Sequence, residues 1–262
     1  MTADAEGLAL GKALDLLFPL AVAVSGGVDS MTLATFAHRR APGPVTMIHA
    51  VSPAVPAAAT QRVRQLAAVE GWSLTITGTG EFEDVRYRDN PADRCYFCKT
   101  NLYGRIRSLT PHRIASGANL DDLDDYRPGL IAAKERNVVH PFIEAGMTKA
   151  MVRSLARELG LGDIAELPAQ PCLSSRVETG IRIDPDDLAF VERVEARLAE
   201  MTPKGATLRC RIMRRGVVIE LGTDDAAALI SITEAANAMC RTEGRQFDGV
   251  REYRRGAMFV QS

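Results

Sequence analysis

The sequence predicts an α/β fold: a parallel sheet with helices on both faces, followed by a small C-terminal α+β domain. Two observations carry this prediction. Over residues 1–170, short apolar runs alternate with segments of helical period, the pattern of buried parallel strands joined by crossover helices. Around Pro168–Pro171 the order changes to helix, hairpin, helix and short strands, so the domains are expected at 1–170 and 171–262.

Leu20–Val24 (LAVAV) is a continuous apolar run between Pro19 and Gly26-Gly27, which reads as a buried strand. Val28 to about His38 follows at helical spacing. Val45–Val51 is a second strand, Thr60–Glu70 a helix closed by Gly71, and Ser73–Thr77 a third strand. A less regular stretch containing CYFCK leads into a helix from about Phe97 to Ser108. Arg113–Ser116 and Val138–Phe142 read as two more strands, separated by an acidic loop and a helix near Leu130–Arg136. Thr148 N-caps a helix that runs to Leu159. In the second domain, Asp184-Pro185 opens a helix to about Glu200, with Asp as N-cap and Pro in the first turn. Leu208–Arg214 and Val217–Leu221 alternate as a hairpin around Arg215-Gly216, followed by a helix over Asp224–Ala238 and short strands.

The 262 residues are 46% hydrophobic, ample to bury a core without disulfide staples. No apolar run approaches the ~20 residues of a membrane span, and charges at Asp4, Glu6, Lys12 and Asp15 interrupt the N-terminus as no secretory signal would. Five cysteines, an odd number, argue against a disulfide scaffold. A soluble cytoplasmic protein is expected, with no membrane partner. The 32 Lys+Arg and 33 Asp+Glu are balanced in both halves, so no stable grip on nucleic acid through summed charge is expected.

Ser25-Gly26-Gly27-Val28-Asp29-Ser30 lies between a buried strand and a helix. The glycines let the backbone turn tightly and aim consecutive N–H groups at an anion, and the helix N-terminus adds partial positive charge. Ser25 and Ser30 can donate to phosphate oxygens, and Asp29 can hold Mg²⁺. The motif lacks the Gly-Lys-Ser/Thr of a Walker loop and the spacing of a dinucleotide fingerprint. The plain alternative is an ordinary Gly-Gly turn. SGGVDS resembles the PP-loop of the ATP pyrophosphatase superfamily (HUP-like, adenine nucleotide α-hydrolase-like folds). That resemblance implies ATP as the ligand, attacked at its α-phosphate to give an adenylate and pyrophosphate.

Cys95 and Cys98 stand at C-x-x-C spacing, and Cys172 is a third candidate thiol. Two half-buried cysteines, a redox dithiol, a zinc site and an iron–sulfur site all remain open from spacing alone. SGGVDS, CYFCKTNLY, SGANLDDLDDYRPG, His140-Pro141 and PCLSSR occur together and in this order. This arrangement resembles the LarE family of ATP-dependent sulfur transferases over nearly the whole chain.

In that family a carboxylate of pyridinium-3,5-biscarboxylate mononucleotide is adenylated, and sulfur then displaces AMP. The thiocarboxylated product leads to the nickel-pincer nucleotide cofactor. One branch sacrifices a cysteine matching Cys172; the other holds a [4Fe-4S] cluster on three cysteines, which Cys95, Cys98 and Cys172 resemble. The resemblance also implies Ser175, Arg176, Arg209 and Arg211 at the substrate phosphate, Glu195 at a divalent cation, and a homo-oligomer. Asp224 or Asp225 is a candidate second carboxylate, and Gly117 is expected to allow close approach of the nucleotide. The acidic run Asp121, Asp122, Asp124 and Asp125 reads as a metal-facing loop or, more simply, a solvated one. A tRNA-thiolating enzyme, and an ATP-binding regulatory domain with structural zinc, are the competing classes. Cys210 and Cys240 carry no expected role beyond packing.

Overall fold

The computed structural model describes residues 3–124 and 127–254 and falls into two compact units. The first takes the chain up to Asp84 and again from Asp93 to Gln170; the second takes Val85–Ala92 and continues from Pro171.

The first unit runs α1 (Ala3–Asp15), β1 (Leu20–Ala23), α2 (Val28–Arg40), β2 (Val45–Val51), α3 (Ala57–Glu70) and β3 (Ser73–Gly78). After α4 (Val85–Arg88), which belongs to the second unit, come α5 (Arg94–Leu109), β4 (Arg113–Ala115), α6 (Pro128–Glu135) and β5 (Val138–Val139). The short α7 (Pro141–Glu144), then α8 (Lys149–Glu158) and α9 (Gly162–Ala165), complete it. The five strands are parallel in the order β3-β2-β1-β4-β5. Alternation along the strands divides the core between the two faces. Leu20, Val22 and Met47 pack with Leu10, Leu14, Met31, Val63 and Val152. Ala21, Ile48 and Ile114 pack with Tyr103, Ile106 and Ala133. The α/β fold is that of a parallel sheet flanked by helices.

Several boundaries differ from expectation. The CYFCK segment is helical, because α5 begins at Arg94. The strand expected over Val138–Phe142 stops at Val139, since Pro141 has no N–H for the ladder and instead opens α7. The N-terminal residues, for which no element was expected, form α1.

The second unit holds α10 (Pro185–Ala199), β6 (Leu208–Met213), β7 (Gly216–Leu221), α11 (Ala226–Thr242) and β8 (Phe247–Glu252). β6 and β7 form the expected antiparallel hairpin, and β8 lies parallel to β7. Phe190, Val191 and Val194 of α10, Ile219 of β7, and Ile232, Ala236 and Cys240 of α11 are fully or almost fully buried. The contribution of Val85–Ala92 to this unit was not anticipated. Asn90, buried at φ 55°, donates through Nδ2 to the carbonyls of Glu178 and Ile181 at 2.9 Å. Its own carbonyl accepts from Gly180 N at 2.9 Å, and Ile183 N donates to Arg88 O at 2.8 Å. Tyr87 Oη lies 2.6 Å from Ser174 Oγ, both buried.

Candidate functional site

β1 lies between β2 and β4, so the strand order reverses there, the place where open α/β sheets bind ligands beyond their C-terminal strand ends. Two loops leave the sheet at this point, Ser25–Ser30 after β1 and the segment from Ser116 after β4. The N-cap of α2 is Gly27, which has no side chain to satisfy the first amides of the helix. An anion is the natural partner for such an end.

The loop is braced from three sides. Ser30 Oγ accepts from Ser25 N at 3.0 Å and donates to Gly27 O at 3.2 Å. Gly26 has φ +85°, and a Cβ there would lie 2.7 Å from Ala59 O. A Cβ on Gly117 would lie 2.7 Å from Ser30 N and 2.8 Å from Asp29 C, so the close approach at Gly117 is to the loop's own backbone. From β2, buried His49 places Nδ1 2.7 Å from Val24 O. A carbonyl only accepts, so Nδ1 carries the proton, and Nε2 accepts from Thr60 Oγ1 at 2.9 Å. Burial lowers the His49 pKa and holds this neutral tautomer.

Asp29 is half-buried and its carboxylate is already engaged. Lys149 Nζ lies 2.5 Å from Oδ2, and Asn119 Nδ2 donates to Oδ1 at 3.2 Å. Lys149, at the first position of α8, was not singled out from sequence; its only signal was its place after the N-cap Thr148. An oxygen ligand at the rim of an anion cradle suits Mg²⁺, which would take the place of the Lys149 ammonium on Asp29. The neighbouring acids cap backbone: Asp121 Oδ1 accepts from Lys149 N, and Asp122 Oδ2 from Asn119 N. Asp124 is exposed, and Asp125 lies outside the described residues. His140, beyond β5, places Nδ1 2.8 Å from Ser116 Oγ; burial lowers its pKa, with Asp122 raising it and Lys99 lowering it.

Cys95 and Cys98 sit in the first turns of α5 at i, i+3 spacing, hence on one helix face, and both are partly buried. Gly129 of α6 lies against this helix, its notional Cβ 3.0 Å from Lys99 Cγ. Cys172 is exposed and belongs to the second unit. Among the described residues no group of three His, Cys, Asp or Glu is gathered as metal ligands.

In the second unit the candidate phosphate residues form a network. Arg176 donates through Nε and NH2 to Glu195 Oε1 and Oε2 at 3.0 Å, and through NH1 to Pro171 O, Cys172 O and Ser175 Oγ. Glu195 Oε1 also accepts from Cys210 N at 3.0 Å. Glu195, expected to hold a divalent cation, is thus occupied in fixing Arg176. Arg211 donates to Glu220 at 2.7 Å and to Ser175 O at 2.9 Å, and Arg251 bonds the other Glu220 oxygen. Arg209 shares this side of β6 while Cys210 turns into the core, as alternation requires. Its guanidinium lies 6.0 Å from the Tyr253 ring, and burial, with Arg176 and Arg211 nearby, lowers its pKa against the pull of Glu195. An anion would relieve that crowding. Asp225 N-caps α11 through Ala227 N and Ala228 N. Burial pushes the Cys210 and Cys240 thiols up, as packing residues.

The sheet order and the glycine-bearing loop at its reversal define the first unit as an α/β fold consistent with the PP-loop type. No family model matches the sequence. The chain is 37% identical over 184 residues to the uncharacterized protein slr1717 of Synechocystis, covering 69% of this chain and 68% of that one. It is 33% identical over 150 residues to the uncharacterized protein MJ0830 of Methanocaldococcus jannaschii, covering 55% and 57%. It is also 29% identical over 197 residues to the pyridinium-3,5-bisthiocarboxylic acid mononucleotide synthase of Lactiplantibacillus plantarum, covering 73% and 71%. The chain belongs to one family with slr1717, and its likeness to the synthase supports a LarE-type family. Among the described residues no helix is long and apolar enough to cross a membrane.

Proposed function

We propose that this chain is an ATP-dependent sulfur transferase that adenylates a carboxylate of pyridinium-3,5-biscarboxylate mononucleotide and converts it to a thiocarboxylate for nickel-pincer nucleotide biosynthesis. The observation that carries it is the uncapped N-terminus of α2 behind Gly26-Gly27 at the sheet's reversal point. The named relative supplies the substrate class.

A carboxylate does not exchange oxygen for sulfur unaided, because oxide is too poor a leaving group; adenylation replaces it with AMP. The amides of residues 27–30 would bind the phosphates, and their fixed dipoles would stabilise charge as the α–β bond breaks. Asp29, released by Lys149, would hold Mg²⁺, which supplies further charge neutralisation. Arg209, Arg211 and Arg176 would hold the substrate phosphate, with Glu195 and Glu220 fixing the orientation of the last two.

For sulfur, Cys95, Cys98 and Cys172 are the donor set of the cluster-bearing branch, and a [4Fe-4S]-bound sulfide is the source we propose. The exposed position of Cys172 favours sacrifice of that thiol as the second reading. ATP-dependent release of pyrophosphate, dependent on the biscarboxylate mononucleotide, tests the adenylation; its absence in anaerobically purified protein would sink the proposal. Mass spectrometry after one turnover separates the sulfur sources. Loss of about 34 Da at Cys172 means sacrifice, and an unchanged chain with bound iron means a cluster.

A further inference from the structure

Arg62, on α3, did not stand out in the sequence, yet it touches the glycine loop. Its Nε donates to Gly26 O at 3.1 Å, and its NH2 donates to Gln170 Oε1 at 2.6 Å. Both partners are neutral. Among the described residues no carboxylate pairs with Arg62, in contrast to Arg39, Arg40 and Arg157 of the same unit, which bond Glu70, Asp15 and Glu166. Burial lowers its pKa with no acid opposing the effect. A half-buried guanidinium without a counter-anion is an expensive arrangement unless an anion arrives.

The charge around the loop points the same way. Asp29 and Lys149 offset each other, so neither cancels the positive charge that the α2 N-terminus and Arg62 bring to the loop. α3 is also fixed against the loop, through Ala59 O beside Gly26 and through Thr60, His49 and Val24. Arg62 is therefore carried on an element that cannot shift without the loop.

We infer that Arg62 is a phosphate-binding residue of the nucleotide site, placing a guanidinium on the β- and γ-phosphates of a nucleoside triphosphate. The inference rests on the adenylation reading above. As the carboxylate oxygen bonds the α-phosphorus, the bond from that phosphorus to the bridging oxygen breaks. The bridging oxygen keeps the electron pair and leaves as part of pyrophosphate, with no redox partner required. Charge grows on the leaving group, where a fixed guanidinium stabilises it more than in the ground state.

Calorimetric titration of the full chain with Mg²⁺-pyrophosphate and, separately, with AMP tests this. Arg62→Gln keeps an N–H for Gly26 O but removes the charge. It is expected to weaken pyrophosphate by about 10- to 100-fold and to leave AMP within about twofold. Arg62→Lys keeps a charge that cannot serve Gly26 O and a phosphate together, and is expected to lose less pyrophosphate affinity, about 3- to 10-fold. Equal losses for AMP and pyrophosphate would reduce Arg62 to a brace of the loop, and unchanged pyrophosphate affinity would also overturn the inference. Should Arg62→Gln fail to fold, the Lys variant decides by the same two ligands. Wild-type protein that binds neither pyrophosphate nor ATP would instead overturn the adenylation reading itself.

Discussion

Glu195, expected from the sequence at a divalent cation, meets an arginine in the fold. Its position suggested a cation ligand, but both oxygens meet the guanidinium of Arg176, which is only 5% exposed. Removing the acid leaves that guanidinium buried without its carboxylate, which typically costs about 3–5 kcal/mol. Glu195→Ala is therefore expected to destabilise the second unit by roughly that amount, and Glu195→Gln by less, since its amide oxygen still accepts. Denaturant melts with and without EDTA make the distinction. If EDTA destabilises wild type but not Glu195→Ala, the residue is a cation ligand after all. Lys149 and Arg62 are the converse case. Nothing in the sequence neighbourhood of either points to its partner, because Asp29 and Gly26 are 120 and 36 residues away.

At the scale of elements, the loop after β1 was legible because its chemistry is local: two glycines, a strand before and a helix after. What holds the loop is not local, and His49 is the clearest instance. It sits in β2, where an apolar run hid it as one more buried position, yet it ties β1 to α3. Its folded pKa lies below the unfolded value of about 6.5. Between those two values the unfolded chain holds a proton that the folded chain does not. Stability is therefore lost as pH falls through this window, by at most about 1.4 kcal/mol per pH unit from this residue. Nearby Arg64 acts in the same direction. His49→Gln is expected to be less stable than wild type at pH 7 but to show a shallower decline toward pH 5 in urea titrations. Parallel declines would show that His49 is not the titrating group. The error at α5 has a similar origin. The stretch containing CYFCK read as less regular, with a helix only from about Phe97, whereas the helix starts at Arg94 and so places two thiols on one face.

For the whole molecule, the change of pattern near Pro171 was visible because periodicity changes there. The contribution of Val85–Ala92 to the second unit was not, because eight residues carry no periodicity to compare, and tertiary contacts alone assign them. Their role is specific: Asn90 supplies donors to two carbonyls of the Val177–Ile183 stretch, and Tyr87 bonds buried Ser174 just before Arg176. A fragment of residues 171–262 loses both. Ser174, buried in the intact chain, then lacks its partner at a cost of about 1–3 kcal/mol, and the partly buried carbonyls of Glu178 and Ile181 lose their donor. Together these approach the few kcal/mol that a core of this size supplies. The fragment is expected to show no cooperative thermal transition by circular dichroism, and a peptide of residues 85–92 joined to it by a flexible linker should restore one. A fragment that melts cooperatively alone, with the linked peptide adding nothing, would show that the arginine network stands without its borrowed segment.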